Sequence, residues 1–431
     1  MRDFAGNTDT ADNTGTAVTA AHTDPADLGL VVTGLGVTTA IGQGKDAFAR
    51  GLFAGNHGFA VMDRPGRQLD TRFVGAEIPE LEPTTRLTAR ELRTVSLTGQ
   101  VALATLEEAW TEARLDGFDP ERIGLVIGGS NLQQRELVLA HDRHRAKPRF
   151  LRPSYGMSFL DTDLCGLCTA AFPVRGFAHT AGGASASGQL AIIEAAEAVA
   201  SGRVDVCIAV GALADLSYWE LLGLHSMGAM ASEESAQAPG LACRPFDRQR
   251  AGFVFGEACG ALVIERRGAR PGQEDTLYAR LSGWSVQLDG NRNPDPSLDG
   301  ETRAIRQALD RAGLTADAID YVNPHGTASP VGDETEVAAL RACGLTHARI
   351  NATKSITGHG LTAAGAVEAV AALLQMKHGR LHPTRNLTDP IDASLRWVRD
   401  EAVEAEVRHC LSLSMGFGGI NTALCISTCD S

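Results

Sequence analysis

Short apolar runs alternate with longer alanine-rich segments along most of this chain. The apolar runs are bounded by glycine or polar residues, which is typical of buried strands. The predicted strands are Leu30–Thr33, Ile123–Gly128, Val204–Gly211, Gly260–Glu265, Tyr278–Val286, Tyr321–Asn323, Leu411–Met415 and Thr422–Thr428. The predicted helices include Ser96–Ala113, Ala186–Ala200, Glu301–Ala312, Asp333–Ala342 and Ala363–His378. This alternation indicates a layered α/β fold.

The composition changes at two places along the 431 residues. Residues 1–28 are rich in Thr, Ala and Asp and lack an apolar core and a basic start, so we expect a disordered extension and no secretory signal. The stretch Arg267–Asp275 combines Gly, Pro and charged residues and is the predicted internal linker. We therefore expect two halves of comparable composition, at residues 29–267 and 276–429.

Charge and cysteine content exclude several classes of function. A formal net charge of −13 argues against general nucleic-acid binding. No run of about 18 apolar residues occurs, so no membrane span is expected. Nine cysteines without regular spacing predict reduced thiols in a cytoplasmic protein. Cys165 and Cys168 form the one Cys-x-x-Cys pair, and because zinc needs a second pair we expect core thiols and no metal.

One basic stretch stands out in the otherwise acidic chain. It contains Arg143, Arg145, Lys147, Arg149 and Arg152. Such a stretch is either an exposed loop without a partner or a docking surface for an acidic protein, and the sequence favours neither.

Three glycine-containing segments carry the candidate chemistry. Gly182–Gly188 (GGASASG) is a small-residue turn that delivers Ser185 to the start of a predicted helix. Pro324–Thr327 and Lys354–Gly360 each present one histidine, His325 and His359. A hydroxyl at a helix N-terminus facing two imidazoles is a plausible site for acyl chemistry or decarboxylation. The alternative is that Ser185 merely caps the helix, a common use of serine.

Six ordered motifs identify a family. They are Val31–Gly36, Arg244–Asp247, Gly252–Glu257, the two histidine segments and Gly416–Asn421. With these motifs the chain resembles the β-ketoacyl synthases, the condensing enzymes of fatty acid and polyketide synthesis, from about residue 30 to about residue 426. The resemblance implies a thiolase-like five-layer α-β-α-β-α fold made of two pseudo-repeated halves. It also implies a homodimer that pairs through the layer edge near the nucleophile helix.

The chain departs from this family at the nucleophile. Condensing enzymes place a cysteine at the head of a long helix, and counting back from Ser201–Val206 puts Ser185 at that position. Gly182 is the alternative, but it would lengthen the helix by a turn. A serine within such a turn resembles the stand-alone decarboxylases of polyketide β-branching cassettes, which convert malonyl-carrier protein to acetyl-carrier protein.

Replacement of the cysteine by Ser185 is expected to abolish condensation, which needs a thiolate, and to leave decarboxylation intact. A helix N-terminus lowers the pKa of a cysteine thiol, but a serine hydroxyl needs a positioned general base before it can attack. We therefore expect carbon–carbon bond formation to be lost. Decarboxylation of a malonyl thioester needs only donors that stabilise the enolate oxygen. By resemblance His325 and His359 supply these donors, and the enolate then takes up a proton.

The remaining roles also follow from the resemblance. Lys354 matches the lysine that organises the histidine pair, with Glu336 or Glu368 as its charge partner. Phe417 matches an aromatic gate, and its backbone amide is expected to form a second oxyanion hole with that of Ser185. The other substrate-binding candidates are Gly418, in the same loop, and Thr327 and Thr357, at positions that contact a phosphopantetheine arm. No tightly bound cofactor is expected, because an acyl carrier protein brings the substrate on its 4'-phosphopantetheine arm.

Three hypotheses for function follow. The first is a malonyl–acyl carrier protein decarboxylase of polyketide biosynthesis. The second is a non-catalytic partner subunit that resembles chain-length factors, although retention of both histidines and Lys354 argues against it. The third is an acyltransferase that uses Ser185 as nucleophile, which would need a carboxylate to orient a histidine.

Overall fold

A computed structural model describes residues 29–429, and the predicted extension at residues 1–28 lies outside this range. The strands are β1 (Leu30–Thr39), β2 (Gly42–Gln43), β3 (Phe59–Val61), β4 (Val74–Ala76), β5 (Ile123–Gly128), β6 (Phe177–Ala181), β7 (Val206–Gly211), β8 (Phe255–Gly256), β9 (Ala258–Arg266), β10 (Ala279–Leu288), β11 (Tyr321–Asn323), β12 (Arg349–Ile350), β13 (Arg380–Leu381), β14 (Arg396–Trp397), β15 (Val403–Glu404), β16 (His409–Gly416) and β17 (Ile420–Ser427). The helices are α1 (Lys45–Phe53), α2 (Ala89–Leu92), α3 (Leu97–Glu112), α4 (Gln134–His144), α5 (Tyr155–Ser158), α6 (Thr162–Ala171), α7 (Ser187–Ala200), α8 (Tyr218–Ser226), α9 (Leu298–Ala312), α10 (Pro330–Ala342), α11 (Lys354–Thr357) and α12 (Ala364–His378).

Each half of the chain builds the same arrangement of strands. The first half contributes the order β6-β5-β7-β9-β1, and the second half contributes β12-β11-β16-β17-β10. When the five strands of each half are numbered along the chain, both orders read 3-2-4-5-1. The halves join where Val31 and Val32 of β1 pair antiparallel with Arg280 and Ala279 of β10. This topology shows the repeat that the residues themselves do not reveal.

The helices complete five layers. One hydrophobic cluster contains α7 and α12 between the two half-sheets. A second cluster packs α3 and α6 on the outer face of the first half, and a third packs α9 and α10 on that of the second. Because each sheet is covered on both faces, its strands read as continuous apolar runs. The expected five-layer α/β fold is confirmed.

The two central helices cross at glycines near their N-terminal ends. A Cβ on Gly188 of α7 would lie 2.7 Å from the backbone nitrogen of Ala366, and one on Gly365 of α12 would lie 2.8 Å from that of Gln189. Only glycine allows such close backbone approach. The crossing therefore brings the loops that precede α7 and α12 to the same place.

The predicted elements are all present, with bounds that shift by a few residues. The largest shift is in β1, which continues to Thr39. Ser96 precedes α3 as its cap and accepts a hydrogen bond from the Gly99 amide. The predicted linker Arg267–Asp275 is not a free connection, because Arg270 donates 2.8 Å to buried Glu265 and also binds the Ala113 carbonyl.

The paired cysteines lie on α6. Cys165 and Cys168 are buried in the core, as expected, and burial raises the pKa of the Cys165 thiol to about 11. Within residues 29–429 no cluster of three or more His, Cys, Asp or Glu side chains has the geometry to hold a metal ion. No helix in this same part of the chain is long and apolar enough to cross a bilayer.

Candidate active site

A tight turn ahead of α7 positions Ser185. A 3-10 turn spans Ala184–Ala186, and Ala184 adopts a left-handed φ of 46°. The Ser187 hydroxyl holds the turn, since it accepts from the Gly183 amide at 2.9 Å and donates to the Ala184 carbonyl at 2.7 Å. An alanine in this region of φ is strained, which marks the turn as a place where structure is maintained for function.

The Ser185 hydroxyl faces a histidine. Ser185 is 8% exposed, and its Oγ lies 2.9 Å from Nε2 of His359. The cap of α7 is Ala186, and no side chain makes a capping hydrogen bond there. The interpretation of Ser185 as a helix cap is therefore wrong.

Two backbone hydrogen bonds hold His359 in place. Its amide donates 2.7 Å to the Val254 carbonyl, and its own carbonyl accepts from the Gly256 amide at 3.1 Å. The Phe253 ring packs edge-on against the imidazole, with centroids 5.1 Å apart. Among the described residues, no group hydrogen-bonds to Nδ1 of His359. The site thus lacks the carboxylate that orients histidine in a serine–histidine–aspartate triad.

His325 stands at a right angle to His359. The two ring centroids are 5.5 Å apart and the planes cross at 85°. The loop that carries His325 is held by Glu336 of α10, whose carboxylate accepts from the amides of His325 at 2.6 Å and Gly326 at 2.8 Å. Burial raises the pKa of Glu336 to about 8 against these backbone hydrogen bonds.

Of the two acids that the sequence offers as partners of Lys354, the structure pairs it with Glu368 and not with Glu336. Its ammonium is ion-paired with Glu368 of α12, and both side chains are 2% exposed. The same Nζ donates to the His325 carbonyl at 2.5 Å and lies 3.4 Å from His325 Nδ1. An ammonium has no lone pair, so Nδ1 must accept and the ring proton resides on Nε2. His325 consequently offers an Nε2–H donor.

Both imidazoles are neutral at physiological pH. Burial, with the Lys354 charge as a second cause, holds the pKa of His359 well below its usual value. For His325 burial is again the largest cause, and Lys354 and His359 add to it. Burial also raises the pKa of the Glu368 carboxyl to about 7, and the attraction of Lys354 opposes that shift. Two neutral imidazoles can donate hydrogen bonds to an oxyanion without titrating.

A cavity of about 730 Å³ opens onto these side chains. Ser185, His325, His359, Thr327 and Phe417 all line it. Phe417 is 42% exposed in the turn between β16 and β17, at the position expected for a gate.

Two of the predicted contacts lie outside this lining. Thr357 is buried, and its hydroxyl lies 2.9 Å from the Gly358 carbonyl and 3.2 Å from the Thr353 carbonyl. Gly418 adopts a φ of 93°, so it serves the turn beside Phe417. The part of the cavity wall formed by described residues includes neither position.

The structure also adds an acidic residue, Asp333, that the sequence analysis did not name as part of the site. Asp333 accepts from the amides of Thr327 and Ala328, each at 3.1 Å, and burial raises the pKa of its carboxyl to about 7. Its spacing of three residues before Glu336, after the cap Ser329, is the signal that could have placed both carboxyls on one helix face.

Comparison with known proteins agrees with this architecture. The model of the β-ketoacyl synthase N-terminal domain matches residues 29–269, and that of the C-terminal domain matches residues 278–388. This chain belongs to the β-ketoacyl synthase family.

One curated protein and two solved structures show which members of this family the chain is similar to. Polyketide biosynthesis malonyl-ACP decarboxylase PksF of Bacillus subtilis (strain 168) is 57% identical over 407 residues, which cover 93% of this chain and 97% of that protein. A β-ketoacyl synthase from Burkholderia phymatum STM815 aligns with a TM-score of 0.83 at 28% identity, over 93% of this chain and 99% of that one. The ishigamide ketosynthase/chain length factor aligns with a TM-score of 0.85 at 27% identity, over 93% and 98%.

Proposed function

We propose that the chain decarboxylates malonyl–acyl carrier protein to acetyl–acyl carrier protein in polyketide biosynthesis. The observation that carries this proposal is the 57% identity over 93% of the chain to a protein named as a malonyl-ACP decarboxylase. The site supports it, because a buried hydroxyl contacts the neutral His359, with the neutral His325 beside that ring, where condensing enzymes of this family hold a thiolate. The nine cysteines, which lack the regular spacing of a disulfide framework, fit a cytoplasmic location.

Decarboxylation uses the donors that the site retains. The malonyl thioester oxygen lies between the imidazoles, where Nε2–H of His325 donates to it. Loss of carbon dioxide moves the bonding pair into the enolate, and the charge that develops on this oxygen is stabilised by about 2.7–4 kcal/mol per donor. Lys354 keeps His325 in the required tautomer through its contact with Nδ1. We also retain the second oxyanion hole, from the Ser185 and Phe417 amides, as part of the proposal.

The geometry disfavours the acyltransferase. In the described part of the chain no acid orients Nδ1 of His359, so this imidazole is a poor general base for Ser185. A non-catalytic partner subunit would have no use for the buried pair of Lys354 and Glu368 beneath His325.

The proposal is tested with malonyl-loaded carrier protein and the purified enzyme, by following the mass of the carrier over time. We expect the carrier to lose the mass of one carbon dioxide molecule while it stays acylated. Ser185→Ala should slow the reaction by less than about tenfold, because one neutral hydrogen bond contributes about 0.5–1.5 kcal/mol. Transfer of label to the enzyme would instead support the acyltransferase, and an unchanged carrier would support the partner subunit.

The basic stretch is our candidate for carrier docking. Its five cationic side chains are exposed between the last turn of α4 and the start of α5. Carrier proteins are acidic, so these charges would steer the encounter. The double variant Arg145→Glu/Arg149→Glu should raise KM for malonyl-carrier protein about tenfold with kcat unchanged. Reversal of Arg380, exposed on β13, is the matched control, and an unchanged KM in the double variant would dismiss the docking surface.

We further propose a homodimer, formed through β6. Within residues 29–429 this strand is the edge of the large sheet and pairs only with β5, and it leads directly into the Ser185 turn. An unpaired strand edge is a template for pairing with a second copy. Sedimentation should give twice the chain mass, and a monomer at micromolar concentration would contradict the proposal.

A further inference from the structure

One buried acid on the cavity wall, Glu301, has a carboxyl oxygen that accepts no hydrogen bond from residues 29–429. Glu301, in the first turn of α9, is 2% exposed and lines the same cavity as Ser185 and His325. Its Oε2 makes no hydrogen bond to any described residue. A buried carboxyl without partners is costly when ionised, so its presence at a reaction cavity asks for an explanation.

The surroundings of Glu301 keep it protonated. Burial raises the pKa of Glu301 well above its usual value, and the negative charges of Glu336, Asp289 and Asp333 raise it further. Arg250 lies 3.9 Å from Asp333 and donates 2.7 Å to Glu334, so its charge is directed at those two acids. Glu336 in turn binds the backbone of His325, so the acid cluster adjoins the catalytic loop. A buried carboxyl with a raised pKa therefore lines the cavity that Ser185, His325 and His359 also line.

We propose that Glu301 is the proton donor that converts the acetyl enolate to the acetyl thioester. This inference rests on the proposed decarboxylase function. The bond between the malonyl methylene carbon and its carboxylate breaks, carbon dioxide leaves, and the electron pair enters the enolate. The enolate carbon then takes the proton from Glu301, so that one C–H bond forms as one O–H bond breaks. The Glu301 carboxylate regains a proton from solvent through the open cavity, which balances the overall consumption of one proton.

The donor is identified by isotope content in the product. The enzyme decarboxylates malonyl-carrier protein in an equal mixture of H2O and D2O, and mass spectrometry measures the deuterium in the new C–H bond. Proton transfer from a carboxyl and proton transfer from a water molecule have different hydrogen isotope effects. The deuterium fraction in the product therefore depends on which of the two is the donor. Glu301→Gln should therefore change the deuterium fraction, and it should lower kcat about 100-fold, the usual effect of losing a general acid. The matched control is Asp299→Asn, which removes an exposed carboxyl from the same turn of α9.

Each outcome decides the matter. An altered deuterium fraction in Glu301→Gln, with the control like wild type, supports the donor role. An unchanged fraction overturns it, even if kcat falls, because the defect would then be structural. If wild type releases no carbon dioxide, the proposed function itself fails, whereas an active wild type with an unchanged fraction in the variant removes only the role of Glu301.

Discussion

Replacing His325 by alanine is expected to lower kcat for decarboxylation about 100- to 1,000-fold, because one oxyanion donor is lost. The substrate is carried by a separate protein, so KM should change by less than about threefold. The rate is measured as the conversion of malonyl- to acetyl-carrier protein by mass spectrometry. This loss should far exceed that of Ser185→Ala, since the hydroxyl lies beside the donors and does not replace them.

His378→Ala provides a matched control. His378 occupies the last turn of α12, where it packs against Phe53, and it does not line the cavity. We expect this variant to decarboxylate at the wild-type rate. If His325→Ala retained more than a tenth of the wild-type kcat, stabilisation of the enolate by the imidazoles would not be the source of catalysis.

The long strands could be predicted because sheets covered on both faces leave a continuous apolar signature. Three of the short strands could not, although the three-residue strand Tyr321–Asn323 was predicted. β3, β4 and β8 have two or three residues each, and their pairing depends on tertiary contacts instead of a local pattern. Gly34 of β1 and Gly283 of β10 occupy equivalent positions in the two repeated halves of the fold. A Cβ at either would lie 2.4 Å from a carbonyl of the helix packed on its strand, Ala109 and Ala308 respectively.

The site was predictable as a set of motifs but not as a set of contacts. Ser185, His325 and His359, each taken from one motif, line the same cavity, as the resemblance to the family led us to expect. Sequence could not choose between Glu336 and Glu368, because both are acids on alanine-containing helices and only the packing of α12 against Lys354 distinguishes them.

Glu301 was missed for a related reason. An acid in the first turn of a helix ordinarily stays exposed and complements the helix dipole. Only the structure shows that this one is buried beside other carboxyls.

Removal of the buried cation should have the largest effect on stability. Lys354→Met leaves Glu368 buried without its partner, and breaking one side of such a pair costs about 3–5 kcal/mol. Catalysis should also fall, because the ammonium no longer holds the carbonyl and Nδ1 of His325. Denaturant unfolding of the variant and the wild type measures the first effect, and the carrier assay measures the second.

The pH dependence of the free energy of unfolding shows whether Lys354→Met is destabilised by the loss of its ion pair or by the loss of packing. Burial already raises the folded-state pKa of Glu368 to about 7 from an ordinary 4.5, and without Lys354 it rises further. A raised folded-state pKa means that the folded protein binds more protons than the unfolded chain, so the variant loses stability as pH increases from about 5 to 8. The free-energy difference from wild type should therefore be larger at pH 8 than at pH 6. The double variant Lys354→Met/Glu368→Leu removes both charges at similar volume and should recover most of the stability but none of the activity. Equal differences at both pH values, without recovery in the double variant, would assign the defect to packing.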